Sequence, residues 1–141
     1  MPVDFSDLSR AALQYVSGLA PLYDAPIRLV HVVEEPTLPS IYEVKSPKVQ
    51  SRAAQERAEE QLRSWGESLT EDGTPVSYLA SRGETPDAVV KDTGQPGALT
   101  VMGTRGLSGA RRVAMGSVTE AVIREADGPV LATRSSPETT E

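Results

Sequence analysis

Apolar positions along the chain recur with two different periods, and each change of period marks an element. "PVD" (2–4) reads as the last part of a strand, with polar punctuation following Val3 at once. In "DLSRAALQYVSGLA", Leu8, Ala12, Tyr15, Val16 and Leu19 fall at helical spacing and predict one apolar face of an amphipathic helix. Pro21 and the run Asp24-Ala25-Pro26 are expected to end it. "IRLVHVV" (27–33) is β-branched and nearly continuous in apolar residues, which suits a strand buried on both faces. From Glu34 to Pro47, the prolines Pro36, Pro39 and Pro47 predict a long surface loop.

The helical period returns at Val49, Ala53, Ala58, Leu62, Trp65 and Leu69, with charged residues on the other face. "PVSYLA" (75–80) predicts a second full strand. In "GETPDAVVKDTG", Thr85 as N-cap, Pro86 at the first helical position and Asp87 in the first turn predict a helix start. "ALTVM" (98–102) is the next strand, "SVTEAVIREADGP" a capped helix and "PVLAT" (129–133) a final strand. The order is β-α-β-α-β-α-β-loop-α-β, with the first strand cut short. Such alternation implies a mostly parallel, five-stranded sheet covered on both faces, an α/β fold. Ligands of these sheets bind outside the carboxyl ends of the strands. The folded domain is expected over 1–134, and 135–141 is a polar tail expected to be disordered.

Composition narrows the classes. With 38% apolar and 24% charged residues, the 141-residue chain reads as one soluble domain. No apolar run approaches the ~20 residues that span a bilayer, so no membrane partner is expected. The N-terminus lacks the basic and apolar regions of a secretory signal, and cytoplasm is the default location. The absence of cysteine rules out disulfides and thiolate metal sites. A net charge of −6 argues against general nucleic-acid binding, which needs a basic face. A small phosphorylated ligand needs only a local field.

Residues 101–122, "VMGTRGLSGARRVAMGSVTEAV", supply that field. The segment carries Arg105, Arg111 and Arg112 and no carboxylate before Glu120. It follows a strand directly, so it lies at a carboxyl end. Glycines allow positive φ and close approach of backbone N–H groups to an anion. Gly116-Ser117 opens a helix whose N-terminus adds unpaired donors and a positive dipole end. Ser117 and Glu120 match a capping box, so the Ser117 hydroxyl either caps the helix or also meets a phosphate oxygen. The pattern is not a Walker A loop, since no Lys follows Gly116, nor a dinucleotide-binding G-x-G-x-x-G. It points to a phosphate chain.

The spacing Gly103-x2-Gly106-x9-Gly116-Ser117 resembles the G-x2-G-x9-G-(S/T) motif of the ATP-binding branch of the universal stress proteins. "PVDFSD" (2–7), "LVHVVEE" (29–35) and "GPVLATR" (128–134) resemble the first, second and last strands of that family, so the likeness covers nearly the whole chain. The resemblance implies a flavodoxin-like sandwich, a homodimer through the last strand (129–133), and ATP as ligand, with ADP, AMP and an accompanying Mg²⁺ left open. It implies that Pro2, Val3 and Asp4 form one wall of the site, with Asp4 near the ribose or a phosphate-bound metal. Val32 would meet the adenine edge through its backbone, and Met102 and Gly103 would line the nucleoside. Arg105, Gly106, Gly116, Ser117 and Val118 would surround the phosphates. One departure is visible: family members carry several apolar residues before the P-x-D element, and this sequence has Met1-Pro2. Either the native start lies upstream or a short strand suffices.

Other residues are read more plainly. His31 is expected to be a packed, hydrogen-bonded sheet residue rather than a base. Asp4 has a local alternative as a cap, Met102 one as core, and Trp65 is read as packing. At least one of Arg111 and Arg112 is read as solvated. Three functions compete. The first is a nucleotide-binding regulatory or stress-response protein. The second is a slow ATPase or autophosphorylating enzyme, with Ser117 or Thr119 as acceptor. The third is a nucleotide-free dimeric interaction module. No catalytic base stands beside the motif, which places the binding protein first.

Overall fold

The computed structural model describes residues 1–34, 47–104 and 116–134, with backbone alone for 47–51. In chain order the elements are α1 (Asp7–Leu22), β1 (Ile27–Glu34), α2 (Pro47–Gly66), β2 (Val76–Gly83), α3 (Asp87–Thr93), β3 (Thr100–Gly103), α4 (Ser117–Glu125) and β4 (Val130–Thr133). A 3-10 turn, Glu67–Leu69, extends α2.

β1 pairs with β2 in parallel, from Ile27 opposite Val76 to Glu34 opposite Gly83. β3 pairs with β4 in parallel, from Thr100 opposite Val130 to Gly103 opposite Thr133. The expected single five-stranded sheet is therefore two two-stranded sheets among the described residues. Met1–Val3 forms a one-bridge strand on β1, Pro2 opposite Val30. Val3 N donates to the Val30 carbonyl at 2.8 Å, and Val30 N to the Met1 carbonyl at 2.9 Å. The Met1 amine continues this ladder to the Arg28 carbonyl at 2.7 Å. Among the described residues no ladder joins this segment to β3.

The helices cover both faces. α1 and α2 pack with Ile27, Leu29, Ala80 and Val101 in one core, where Ala12, Leu13, Val16, Leu62 and Trp65 are buried. α3 and α4 enclose the smaller core of Val32, Val89, Met102 and Val122. Alternate residues of β1 thus enter opposite cores, which is why its sequence is apolar nearly throughout.

Three local expectations are corrected. The buried stripe of α1 is Ser9, Ala12, Leu13, Val16 and Ala20, while Tyr15 is 41% exposed and Leu8 and Leu19 are half-buried. Small side chains face the sheet because α1 lies close to it: a Cβ on Gly103 would sit 3.0 Å from Leu8 Cβ. Pro21 lies inside the last turn of α1 rather than ending it. The turn closes instead through Tyr23 N, which donates to the Leu19 and Ala20 carbonyls. α3 begins at Asp87 with Pro86 in the cap position and no side-chain cap. Ala88 N is satisfied by the Glu84 carbonyl at 3.1 Å, so the Thr85 hydroxyl is not needed there.

Candidate functional site

The strands' carboxyl ends open onto a cavity of about 550 Å³. Its walls are Pro2, Val3, Asp4 and Ser9 on one side, Val30–Glu34 of β1 below, Thr85 and Val89 beside α3, and Met102, Gly103 and Gly116–Thr119 opposite. Nine of the eleven positions named from the sequence therefore meet around one space: Pro2, Val3, Asp4, Val32, Met102, Gly103, Gly116, Ser117 and Val118. Arg105 and Gly106 lie outside the described residues, as do Arg111 and Arg112. The two ends of their segment are fixed at the cavity, because Gly116 N donates to the Thr104 carbonyl at 2.8 Å. Thr104 N is itself held by the Thr133 carbonyl at 2.9 Å.

α4 starts in this wall. Its N-cap is Gly116, with φ −61 and ψ 147, and no side-chain cap bond forms. The expected capping box is thus absent: Ser117 is the first helical residue and is exposed, and Glu120 pairs with Arg124 at 3.7 Å. Neither Gly103 nor Gly116 uses positive φ. Gly103 serves the close approach to Leu8, and Gly116 takes an extended conformation open to any residue. The N–H groups of Ser117, Val118 and Thr119 belong to the first turn, which has no intrahelical acceptors for them. Together with the Ser117 hydroxyl they give this edge of the cavity a set of hydrogen-bond donors, the chemistry an anion requires. Thr119 contributes differently, since its hydroxyl donates to the Gly103 carbonyl at 2.9 Å and its side chain is buried. That bond ties α4 to the end of β3.

Across the cavity, Asp4 Oδ1 accepts from Ser6 N at 3.0 Å, Ser6 Oγ at 2.5 Å and Ser9 Oγ at 2.6 Å. Ser6 Oγ in turn accepts from Ser9 N at 3.2 Å, capping α1. Burial by itself would raise the Asp4 carboxyl, but the Ser6 and Ser9 donors outweigh it and hold it below its ordinary value. Asp4 is therefore a carboxylate at neutral pH. Ser6 caps the helix, while Asp4 caps the turn before it through Ser6 N. His31 Nδ1 lies 2.7 Å from the Val3 carbonyl. A carbonyl only accepts, so Nδ1 carries the proton and His31 is a hydrogen-bonded sheet residue. Ser9 and Thr85 were not picked out as cavity residues. An N-cap search at "DFSDLS" would have found Ser6 and drawn attention to Ser9, while Thr85 carries a helix-cap signal and none for a place in the cavity.

The chain matches the model of the universal stress protein family over residues 1–134. It belongs to the universal stress protein family. It is 30% identical over 132 residues to the universal stress protein MJ0531 of Methanocaldococcus jannaschii, covering 93% of this chain and 78% of that one. Among solved structures, the hypothetical protein MJ0577 aligns with a TM-score of 0.81 at 26% identity, covering 97% of this chain and 94% of that one. A universal stress protein in complex with cAMP aligns at 0.65 and 20% identity, covering 96% and 95% of the two chains. One from Archaeoglobus fulgidus in complex with dAMP aligns at 0.52 and 22% identity, covering 93% and 92%. The last two show a common fold. The α/β architecture described above is that of universal stress proteins.

Proposed function

We propose that the carboxyl-end cavity binds an adenine nucleotide, ATP in the first place, and that the protein is a nucleotide-responsive stress or regulatory protein of the family's ATP-binding branch. The observation that carries this reading is the convergence of Pro2–Asp4, Val32, Met102–Gly103 and Gly116–Val118 around one cavity. Its volume of about 550 Å³ lies within the range of small-molecule sites. The N–H groups and hydroxyl at the start of α4 suit phosphate oxygens. The Asp4 carboxylate, on the opposite wall, suits ribose hydroxyls or a phosphate-bound cation. In the sequence, Arg105, Arg111 and Arg112 fall between Thr104 and Gly116 and give that stretch a positive charge that suits a phosphate ligand, with Gly106 completing the glycine motif. The family members solved with cAMP and dAMP make an adenine ligand the natural first choice, although their phosphate content differs from that of ATP.

A Mg²⁺ ion, if it accompanies the nucleotide, would take Asp4 as its protein ligand and complete its shell with phosphate and water. Glu34 is the other carboxylate among the described lining residues. Phosphoryl transfer to Thr119 gains no support, because its hydroxyl is buried against Gly103. We further propose that the protein works as a cytoplasmic homodimer joined through 129–133. The test is the identity of any nucleotide released when the purified protein is denatured by heat. Stoichiometric adenine nucleotide supports the reading. None released, and no uptake of added ATP, ADP or AMP, would favour a nucleotide-free interaction module.

A further inference from the structure

We propose that Phe5 is a positioning residue: its ring, gripped between His31 and Trp65, holds the chain bend that sets the Asp4 carboxylate on Ser6 and Ser9 at the cavity wall. Phe5 has φ 61, in the left-handed region that a bulky L-residue rarely enters. That conformation costs roughly 1–2 kcal/mol and persists only where the surroundings enforce it. The surroundings here are aromatic. The Phe5 ring centroid is 4.5 Å from His31, tilted by 37°, and 5.4 Å from Trp65, edge to face at 80°. Trp65 is buried, and the Arg10 guanidinium lies over its ring at 4.4 Å.

The same histidine secures the other side of the bend through the Val3 carbonyl, at 2.7 Å. Both neighbours of Asp4 are therefore fixed by one group on β1, the residue before it by a hydrogen bond and the residue after it by ring contact. Between those two fixed points Asp4 turns Oδ1 onto three donors. All three of these donors meet Oδ1, and Asp4 itself lines the cavity. Glycine at position 5 would adopt this φ without strain but would leave the bend free to reorient. The sequence spends a strained phenylalanine there, and what the ring adds is a fixed direction for Asp4. The effect on ligand affinity rests on the nucleotide reading above. The fixing of Asp4 does not.

The two are separated by one set of variants. Phe5→Gly, Phe5→Tyr and the wild type are titrated with ATP, and the Asp4 carboxyl is followed against pH by carbon NMR without nucleotide. Phe5→Gly is expected to fold, to bind ATP about tenfold more weakly, the loss of one charged hydrogen bond, and to titrate Asp4 nearer its ordinary value. Phe5→Tyr, which keeps the ring, is expected to match the wild type in both. Should the glycine variant fail to fold, Phe5→Leu, with apolar bulk and no ring, is read in the same way. Unchanged Asp4 titration in Phe5→Gly or Phe5→Leu would overturn the proposal. If the wild type takes up no ATP, the nucleotide reading fails and the Asp4 titration still decides the role of Phe5.

Discussion

The two ends of the parallel strands each hold a hollow, and the smaller one is the better candidate site. At the carboxyl ends, about 550 Å³ is lined by Asp4, Ser9, Ser117, Thr119 and the start of α4. At the amino ends, about 720 Å³ is lined by Met1, Val16, Leu19, Ala20, Ile27, Val30, Leu99 and Val101, with Asp92 and Gln95 at one side. Volume alone would choose the second. The direction of the chain argues for the first. Helices that follow parallel strands begin at the strands' carboxyl ends, so their free N–H groups and positive dipole ends gather there. The amino ends collect helix carboxyl termini, which repel an anion. The amino-end groove has a different setting: it lies where β1 and β3 belong to separate two-stranded sheets among the described residues. One hollow gathers a helix start and hydroxyl groups, and the other is walled mainly by apolar side chains.

That contrast can be pressed at both ends, and the largest effect is expected at the amino end. The Met1 amine is buried, and burial, reinforced by the charge of Arg28, lowers its pKa from 8.0 to about 5. Between those values the unfolded chain binds the proton and the folded chain does not. Stability of the 141-residue chain should therefore be lowest below about pH 5 and rise as pH climbs toward 8, by an amount on the order of 4 kcal/mol. Urea unfolding across pH 5–8 checks this, with the N-acetylated chain, which has no titrating amine, as the control.

Next in size is Ser117→Glu. A carboxylate in the first turn of α4 complements the helix dipole, so folding should survive unchanged. Facing phosphate, the same charge should weaken ATP binding by about a hundredfold, as expected for lost charged hydrogen bonds and added repulsion. Calorimetry on the variant, beside its melting curve, separates the two. A smaller effect is expected from lengthening the chain: four apolar β-branched residues joined ahead of Met1 should continue the ladder into the groove. The melting temperature should rise by roughly 5 °C, with ATP affinity unchanged. No rise, with unchanged hydrogen exchange at Ile27 and Arg28, would mean that the groove does not accept a strand.

Much of this was legible in the chain, and the exceptions have physical causes. Element order came through because helical and strand periods are distinct and Pro and Gly punctuate them. Gly103 and Gly116 line the carboxyl-end cavity because one lies at a strand end and the other at a helix start. The stripe of α1 was misread because close packing selects Ser9, Ala12 and Ala20, whereas hydropathy favours Tyr15. Ser117 was read as a cap because the S-x-x-E pattern is met, yet Gly116 occupies the cap and leaves the hydroxyl over. The strain at Phe5 left no trace in the sequence, since its grip on His31 and Trp65 joins residues far apart in the chain. The break between the two sheets followed from backbone pairing, which side-chain patterns do not report.

The central claim is that the carboxyl-end cavity takes an adenine nucleotide with its phosphates on the start of α4. Isothermal titration of the purified protein with ATP, with and without Mg²⁺, tests it most directly. The account predicts saturable binding of one nucleotide per chain. A folded protein that gives no saturable binding to ATP, in either condition, would contradict it.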